Sequence, residues 1–174
     1  MSVPPLPRLT FVLGGARSGK SRYAEGLVMG CAPPWIYVAT AEAYDDEMTV
    51  RIAEHRHRRD GRWRTVDAPL DLPAAIQAHG SAGQPVLIDC LTLWLSNVML
   101  AGQDSVAELQ RLVAALSQAG GPIVVVSNEV GFGIVPDNAL ARKFRDAQGR
   151  ANMQVAAIAD RAVLIAAGLP LILK

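Results

Sequence analysis

The sequence predicts an α/β fold with a mainly parallel central sheet and helices on both faces. Three observations carry that expectation. Short apolar runs with β-branched or aromatic residues recur at Leu9–Leu13, Trp35–Ala39, Pro85–Asp89 and Pro122–Ser127. Stretches with apolar residues at helical spacing separate them, so strands and helices alternate along the chain. The 174 residues, 51% hydrophobic and 19% charged, suit one domain large enough to bury a core. Residues 1–8 read as a proline-rich tail and residues 9–174 as a single domain.

Taken in order, Leu9–Leu13 is the first strand, followed by a glycine-rich turn. A helix runs from Lys20 to Met29 with Tyr23, Ala24 and Leu27 as its inner stripe, and Gly30 and Pro33-Pro34 end it. Trp35–Ala39 is the second strand. Asp45 to Arg59 reads as a helix, acidic in its first turn and basic in its last, as the macrodipole favours. Its face at helical spacing is Met48, Ile52, His55 and Arg59. A short strand, Arg62–Val66, precedes Asp67. Leu70–Ala78 is a short helix capped by Asp71 or by the Pro69 turn, and Pro85–Asp89 is a strand ending in a carboxylate. Cys90–Ala101 is a mostly apolar helical segment. A helix capped by Asp104 or Ser105 runs to Gln118 with Leu109, Leu112, Val113 and Leu116 inside. After the strand Pro122–Ser127 and a loop to Asp137, a long helix covers Asn138 to Asp160. Its apolar stripe is Leu140, Phe144, Ala147, Ala151, Val155 and Ile158. Arg142, Arg145, Gly149 and Asn152 form a separate stripe, where Gly149 allows a close approach or a kink. Ala162–Leu173 reads as two short strands joined by a turn. The right-handed crossover rule places the ends of Leu13, Ala39, Asp89 and Ser127 along one sheet edge.

Composition excludes several classes. A formal net charge of +1 gives no general affinity for nucleic acid or anionic membranes. The apolar run near the C-terminus is too short to span a bilayer, and the first residues lack the apolar core of a signal peptide. Cys31 and Cys90 have no metal-type spacing, which suits a reducing, cytoplasmic setting.

The chemistry centres on Gly14-Gly15-Ala16-Arg17-Ser18-Gly19-Lys20-Ser21. Gly14, Gly19, Lys20 and Ser21 satisfy G-x-x-x-x-G-K-[ST], with a strand before and a helix after. Glycines let the backbone approach a phosphate, and helix N-terminal N–H groups point at the anion. Lys20 is placed to reach the outer phosphates and the Ser21 hydroxyl to ligate Mg²⁺. With this motif the expected fold is the three-layer, RecA-like form of the P-loop NTPases. Asp89, at the end of an apolar strand, is a carboxylate for the same Mg²⁺, an N-cap for the following segment, or both. His55 lies in a basic cluster with Arg56, Arg58 and Arg59. Such a cluster is either a solvated helix end or, beside a nucleotide, a set of phosphate ligands. A neutral imidazole there can attack phosphorus and split one transfer into two. His57 and His79 lack that support and read as surface residues. Asn128–Gly131 either reaches substrate or is a structured turn.

Further stretches extend the pattern: Tyr-Val-Ala-Thr (37–40), Asp-Asp-Glu-Met…Arg-Ile…His (45–55), Trp-Arg-Thr-Val (63–66), Asp-Cys-Leu-Thr (89–92), Ser-Asn-Glu-Val-Gly-Phe-Gly-Ile-Val-Pro (127–136) and Ala-Arg-Lys-Phe-Arg-Asp…Gly-Arg-Ala-Asn (141–152). In this order, from Leu9 to the end, they resemble the bifunctional adenosylcobinamide kinase / adenosylcobinamide-phosphate guanylyltransferase family of cobalamin biosynthesis. The resemblance implies phosphorylation of adenosylcobinamide by GTP or ATP. GMP then passes from GTP to the new phosphate, giving adenosylcobinamide-GDP. It also implies a GMP–histidine intermediate on His55, and Glu54 stands where some relatives have a second histidine. Nucleotide contacts carry over to residues 14–21, to Ala39, Thr40 and Ala41, to Arg56, His57, Arg58 and Arg59, and to Asp67 and Asp89. Asp67 replaces a glutamate that is one methylene longer in the family. The resemblance further implies Mg²⁺ on Ser21 and Asp89, no tightly bound cofactor, and self-association as a homotrimer.

The residues agree with that chemistry. With Lys20 and Mg²⁺ on the β- and γ-phosphates, His55 attacks the α-phosphorus, pyrophosphate leaves, and the substrate phosphate displaces His55. An ordinary imidazole titrates near about pH 6.5, and flanking arginines disfavour its protonated form. Two other classes compete: a small-molecule kinase with no covalent step, and a regulatory or assembly ATPase.

Overall fold

The computed structural model describes residues 5–43, 53 and 59–174. The expected helix Asp45–Arg59, with His55, Arg56, His57 and Arg58, lies outside the described residues except for positions 53 and 59. The elements in chain order are β1 (Leu9–Gly14), α1 (Lys20–Met29), β2 (Trp35–Ala39), β3 (Trp63–Asp67), α2 (Leu72–His79), β4 (Val86–Asp89), α3 (Leu91–Leu100), α4 (Ser105–Gln118), β5 (Ile123–Asn128), α5 (Ala139–Ile158), β6 (Arg161–Ala166) and β7 (Leu169–Ile172).

Among the described residues the strands form one seven-stranded sheet in the order β3-β2-β4-β5-β1-β6-β7. All neighbours are parallel except β6 and β7. Central strands buried on both faces need continuous apolar runs. Alternate residues feed opposite sides. Phe11, Ile36, Ile88 and Val125 join Trp94, Leu112 and Val155 on one side. Val12, Tyr37, Leu87 and Val124 join Ala24 and Val28 of α1 on the other.

Side-chain caps mark the starts of α2, α4 and α5. The Asp71 carboxylate accepts from the Ala74 N–H at 3.3 Å, and Asp104 accepts from Val106 and Ala107. Asn138 Oδ1 accepts from the Ala141 N–H at 2.7 Å at the head of α5. Packing begins before Leu9. Leu6 lies against the α1-side core, and the Arg8 guanidinium donates to Leu116 O at 2.9 Å.

Three details differ from the sequence expectation. The buried face of α1 is Ala24, Glu25 and Val28, while Tyr23 and Leu27 are only partly covered. Leu140 is 60% exposed, so the inner stripe of α5 begins after it. Gly149 permits no close approach, because a Cβ there would meet nothing within 4 Å, and α5 runs through it unbroken.

The β6–β7 turn has a specific neighbour. Ala167 and Gly168 take φ of 51° and 80°, as a tight hairpin requires. The Gly168 N–H then donates to Ser18 O at 3.0 Å, so the hairpin braces the loop between β1 and α1.

Candidate active site

The loop 15–19 leaves the centre of the sheet between two flanking strands. Gly14 pairs with Asn128 of β5 on one side and Ile165 of β6 on the other. Sequence reasoning assigned both glycines the same freedom, but the structure separates their roles. Gly19 takes φ +93°, whereas Gly14 is needed for space. A Cβ at Gly14 would lie 2.7 Å from Ile165 O and 2.6 Å from Ser18 Oγ. Among the non-glycine residues, Arg17 carries a positive φ, at 55°. Gly19 is the N-cap of α1 and no side chain caps the helix, so its first N–H groups are left to an anion. Lys20 Nζ donates to Gly15 O at 3.1 Å.

The strand ends line up beside this loop. Ala39 is in register with Asp67 on one side and Asp89 on the other, and Asp89 with Val126. The structure thus brings Ala39, Asp67, Asp89 and the loop 14–21 to the sheet's C-terminal edge, where α/β folds bind ligands. The Lys20 charge lies near enough to lower the Cys90 pKa, against larger opposing effects.

Thr40 is placed differently from the expectation of a nucleotide contact. It is fully buried. Its hydroxyl donates to Cys90 O and accepts from the Cys90 N–H, each at 2.7 Å. Its carbonyl accepts from Asn97 Nδ2 at 2.8 Å and its N–H donates to Asp89 O at 3.3 Å. All its polar groups are engaged within the protein, so Thr40 ties the ends of β2 and β4 together.

Tyr37, which sequence reasoning passed over, reaches Asp89 instead. Its Oη donates to Asp89 Oδ2 at 3.1 Å. The Arg59 guanidinium carbon lies 3.5 Å from the centroid of its ring. Burial and the nearby Asp89 charge push the phenol well above its usual range, with Arg59 opposing, so it remains a donor. The available signal was the strand period, which puts Tyr37 on the same face as Ala39.

A second omission is the polar network under β5. Ser127 Oγ donates to Asn152 Oδ1 at 2.7 Å, and Gln148 Nε2 reaches both residues. Thr92 Oγ1 accepts from the Asn128 N–H at 2.8 Å. Asn152, expected on a polar stripe separate from the apolar one, is buried here. The loop Asn128–Gly131 is tied to the phosphate loop, since the Glu129 N–H donates to Gly14 O at 3.1 Å. A cleft of about 510 Å³ opens between α5 and the β1–β6 side of the sheet, with Glu129 and Asn152 in its walls. Its walls include Phe11, Leu13, Met153 and Ala162, and the loop that carries Lys20 does not line it.

The donor set suits Mg²⁺ held largely by phosphates and water. Among the described residues no group of three or more His, Cys, Asp or Glu side chains could hold a metal. Ser21 and Asp89 offer hard oxygens, and Mg²⁺ in such sites takes one or two protein ligands. Ser18 Oγ is buried with no hydrogen-bond partner among the described residues, consistent with a loop shaped for a further acceptor.

Burial and the Asp89 charge also push the Cys90 thiol up to about 12. A thiol-reactive disulfide reagent is therefore expected to modify Cys31 first and to spare Cys90 until the protein is unfolded. Fast labelling of Cys90 in the native protein, read by peptide mapping, would contradict the buried position.

This arrangement can be set beside known proteins. The family model described as cobinamide kinase / cobinamide phosphate guanyltransferase matches residues 10–173. The chain belongs to that family. Relatives named bifunctional adenosylcobalamin biosynthesis proteins agree. CobP of Pseudomonas aeruginosa is 45% identical over 165 residues, covering 94% of this chain and 95% of its own. CobU of Salmonella typhimurium is 39% identical over 181 residues, covering 95% and 99%. Solved structures bear on the fold alone. The RadB recombinase aligns at a TM-score of 0.55 and 18% identity, over 91% of this chain and 74% of that one. A type III secretion ATPase aligns at 0.58 and 15%, over 92% of this chain and 53% of its own, so the chain spans about half of that protein. These neighbours bear out the expected P-loop α/β fold. No helix among the described residues is long and apolar enough to cross a membrane.

Proposed function

We propose that this cobinamide kinase / cobinamide phosphate guanylyltransferase carries out both transfers at one nucleotide site, the loop 14–21 with Asp89 beside it. The site lies at the C-terminal sheet edge, where Ala39, Asp67 and Asp89 are in register and β1 runs two positions further to end at Gly14, and that convergence of strand ends is the observation carrying the reading. In the first transfer the cobinamide hydroxyl oxygen attacks the γ-phosphorus of GTP or ATP. The bond from that phosphorus to the β-bridging oxygen breaks, and the hydroxyl proton passes to solvent. Lys20 and the uncapped N–H groups of α1 hold the phosphates in line. In the second transfer a His55 ring nitrogen attacks the α-phosphorus of GTP and pyrophosphate leaves, held by the same loop. An oxygen of cobinamide phosphate then breaks the P–N bond, which frees His55 and yields the GDP-linked corrinoid. Mg²⁺ held by Ser21 and Asp89 would neutralise phosphate charge when bound.

Arg59, together with Arg56, His57 and Arg58, supplies cationic and donor groups around the phosphates. Asp67, Ala39 and Ala41 would complete the nucleotide contacts. The enzyme works in the cytoplasm as a homotrimer. A kinase without a covalent step is disfavoured, because the relatives are named bifunctional over almost their whole length.

The test is a trapping experiment. Incubated with α-labelled GTP and Mg²⁺ and then denatured, the wild-type chain is expected to carry an acid-labile, base-stable label. His55→Ala is expected to carry none while still phosphorylating cobinamide. Label retained in His55→Ala would overturn the choice of nucleophile. Absence of label from the wild type, with kinase activity intact, would overturn the covalent route.

A further inference from the structure

Tyr37 joins two residues that belong to different parts of the chain. Its side chain is 4% exposed, within the core on the α1 side. One end, Oη, donates to Asp89 Oδ2 at 3.1 Å. The ring face carries Arg59 at 3.5 Å, and Trp63 meets the ring at 6.2 Å with planes 80° apart. Arg59 Nη1 is buried and makes no hydrogen bond among the described residues. A buried guanidinium N–H without an acceptor is costly. Stacking on the ring leaves only the edge of the guanidinium for donation, in the guanidinium plane. An oxygen of a phosphate is the acceptor such an edge recognises best.

We propose that Tyr37 is a positioning residue of the nucleotide site: its hydroxyl sets the rotation of the Asp89 carboxylate, and its ring holds Arg59 where Nη1 meets a phosphate oxygen of the bound nucleotide. This rests on the reading that Asp89 and Arg59 serve the nucleotide. It adds a residue outside the phosphate loop and assigns the ring and the hydroxyl separate effects. The hydroxyl acts on the metal-dependent part of binding, and the ring acts on the phosphate itself.

The two effects separate in equilibrium binding of GTP by the full chain, measured by calorimetry across a range of MgCl₂. Tyr37→Phe keeps the ring and loses the hydroxyl. It is expected to leave the Kd for GTP without Mg²⁺ unchanged and to cut the tightening produced by Mg²⁺ about tenfold. Tyr37→Leu loses both and is expected also to weaken metal-free binding by about three- to tenfold. In an Arg59→Ala background, Tyr37→Leu is expected to add nothing to that metal-free loss. Thermal melts of each variant check that the fold persists.

Undiminished Mg²⁺ tightening in Tyr37→Phe would overturn the hydroxyl's role. Additive metal-free losses in the Tyr37→Leu/Arg59→Ala pair would overturn the ring's role. Asp89→Asn and Arg59→Ala separate this failure from that of the underlying reading. If both leave GTP binding and its Mg²⁺ dependence unchanged, the reading of the site fails and the role of Tyr37 fails with it. If they change binding and the Tyr37 variants do not, only the role of Tyr37 fails.

Discussion

Lys20→Ala is expected to slow both transfers by about 10²–10³-fold while moving the thermal midpoint by no more than about 2 °C. The first effect follows from position. Lys20 opens α1 directly after the loop, and its ammonium reaches back to Gly15 O at 3.1 Å. That carbonyl is a weaker partner for the ammonium than a doubly charged phosphate, so at the proposed site the side chain would transfer to a bound nucleotide. The second follows from surroundings, since the contact lies at the surface and supports no core packing. The comparison needs γ-transfer to cobinamide and GMP transfer to cobinamide phosphate, each at saturating GTP, with a melting curve. Loss of one transfer alone would show that the reactions use separate phosphate sites.

Trp94→Ala is expected to cost about 3–5 kcal/mol of folding stability. At roughly 2–4 °C per kcal/mol for a domain of this size, the midpoint falls by about 6–20 °C. Trp94 on α3 is completely buried and lies in the larger core. Its Nε1–H donates to Leu70 O at 2.8 Å, which ties α3 to the segment leading into α2. Alanine leaves a cavity and removes that donor. Trp94→Phe keeps most of the ring and is expected to lose about half as much. Urea unfolding of the three proteins measures this. A loss below about 1 kcal/mol for the alanine variant would be incompatible with so enclosed a ring.

The sequence made the architecture readable because its periods are clean. Apolar runs of four to six residues, broken by glycine and proline, mark β1, β2, β4 and β5 to within a residue or two. Asp71, Asp104 and Asn138 announce helix starts by ordinary capping chemistry. The phosphate loop was legible because its spacing is a local requirement of the ligand. What escaped were pairings between distant positions. Nothing at Thr40 shows that its hydroxyl is taken up by Cys90, fifty residues later. Nothing at Tyr37 announces Asp89 or Arg59. Asn152 reads as one member of a polar stripe on α5 until Ser127 and Gln148 are found bonded to it. Tertiary partners decide whether a polar side chain is a ligand, a latch or a buried strut. Spacing within one helix or strand carries no record of them.

The brace between the β6–β7 turn and Ser18 bears on how the enzyme comes into being. The phosphate loop is synthesised well before the strands beside it, β5 and β6, and before the turn that supports it. A nascent chain therefore carries the full binding motif long before it has a binding site. Affinity for nucleotide arrives with the closing of the sheet, which makes ligand capture a sign that folding has finished. Once captured, nucleotide at a hundred times its Kd adds about 2.7 kcal/mol to the folded state. Nucleotide at the proposed site would thus reinforce a contact between distant parts of the sequence, which meet at Ser18 and Gly168.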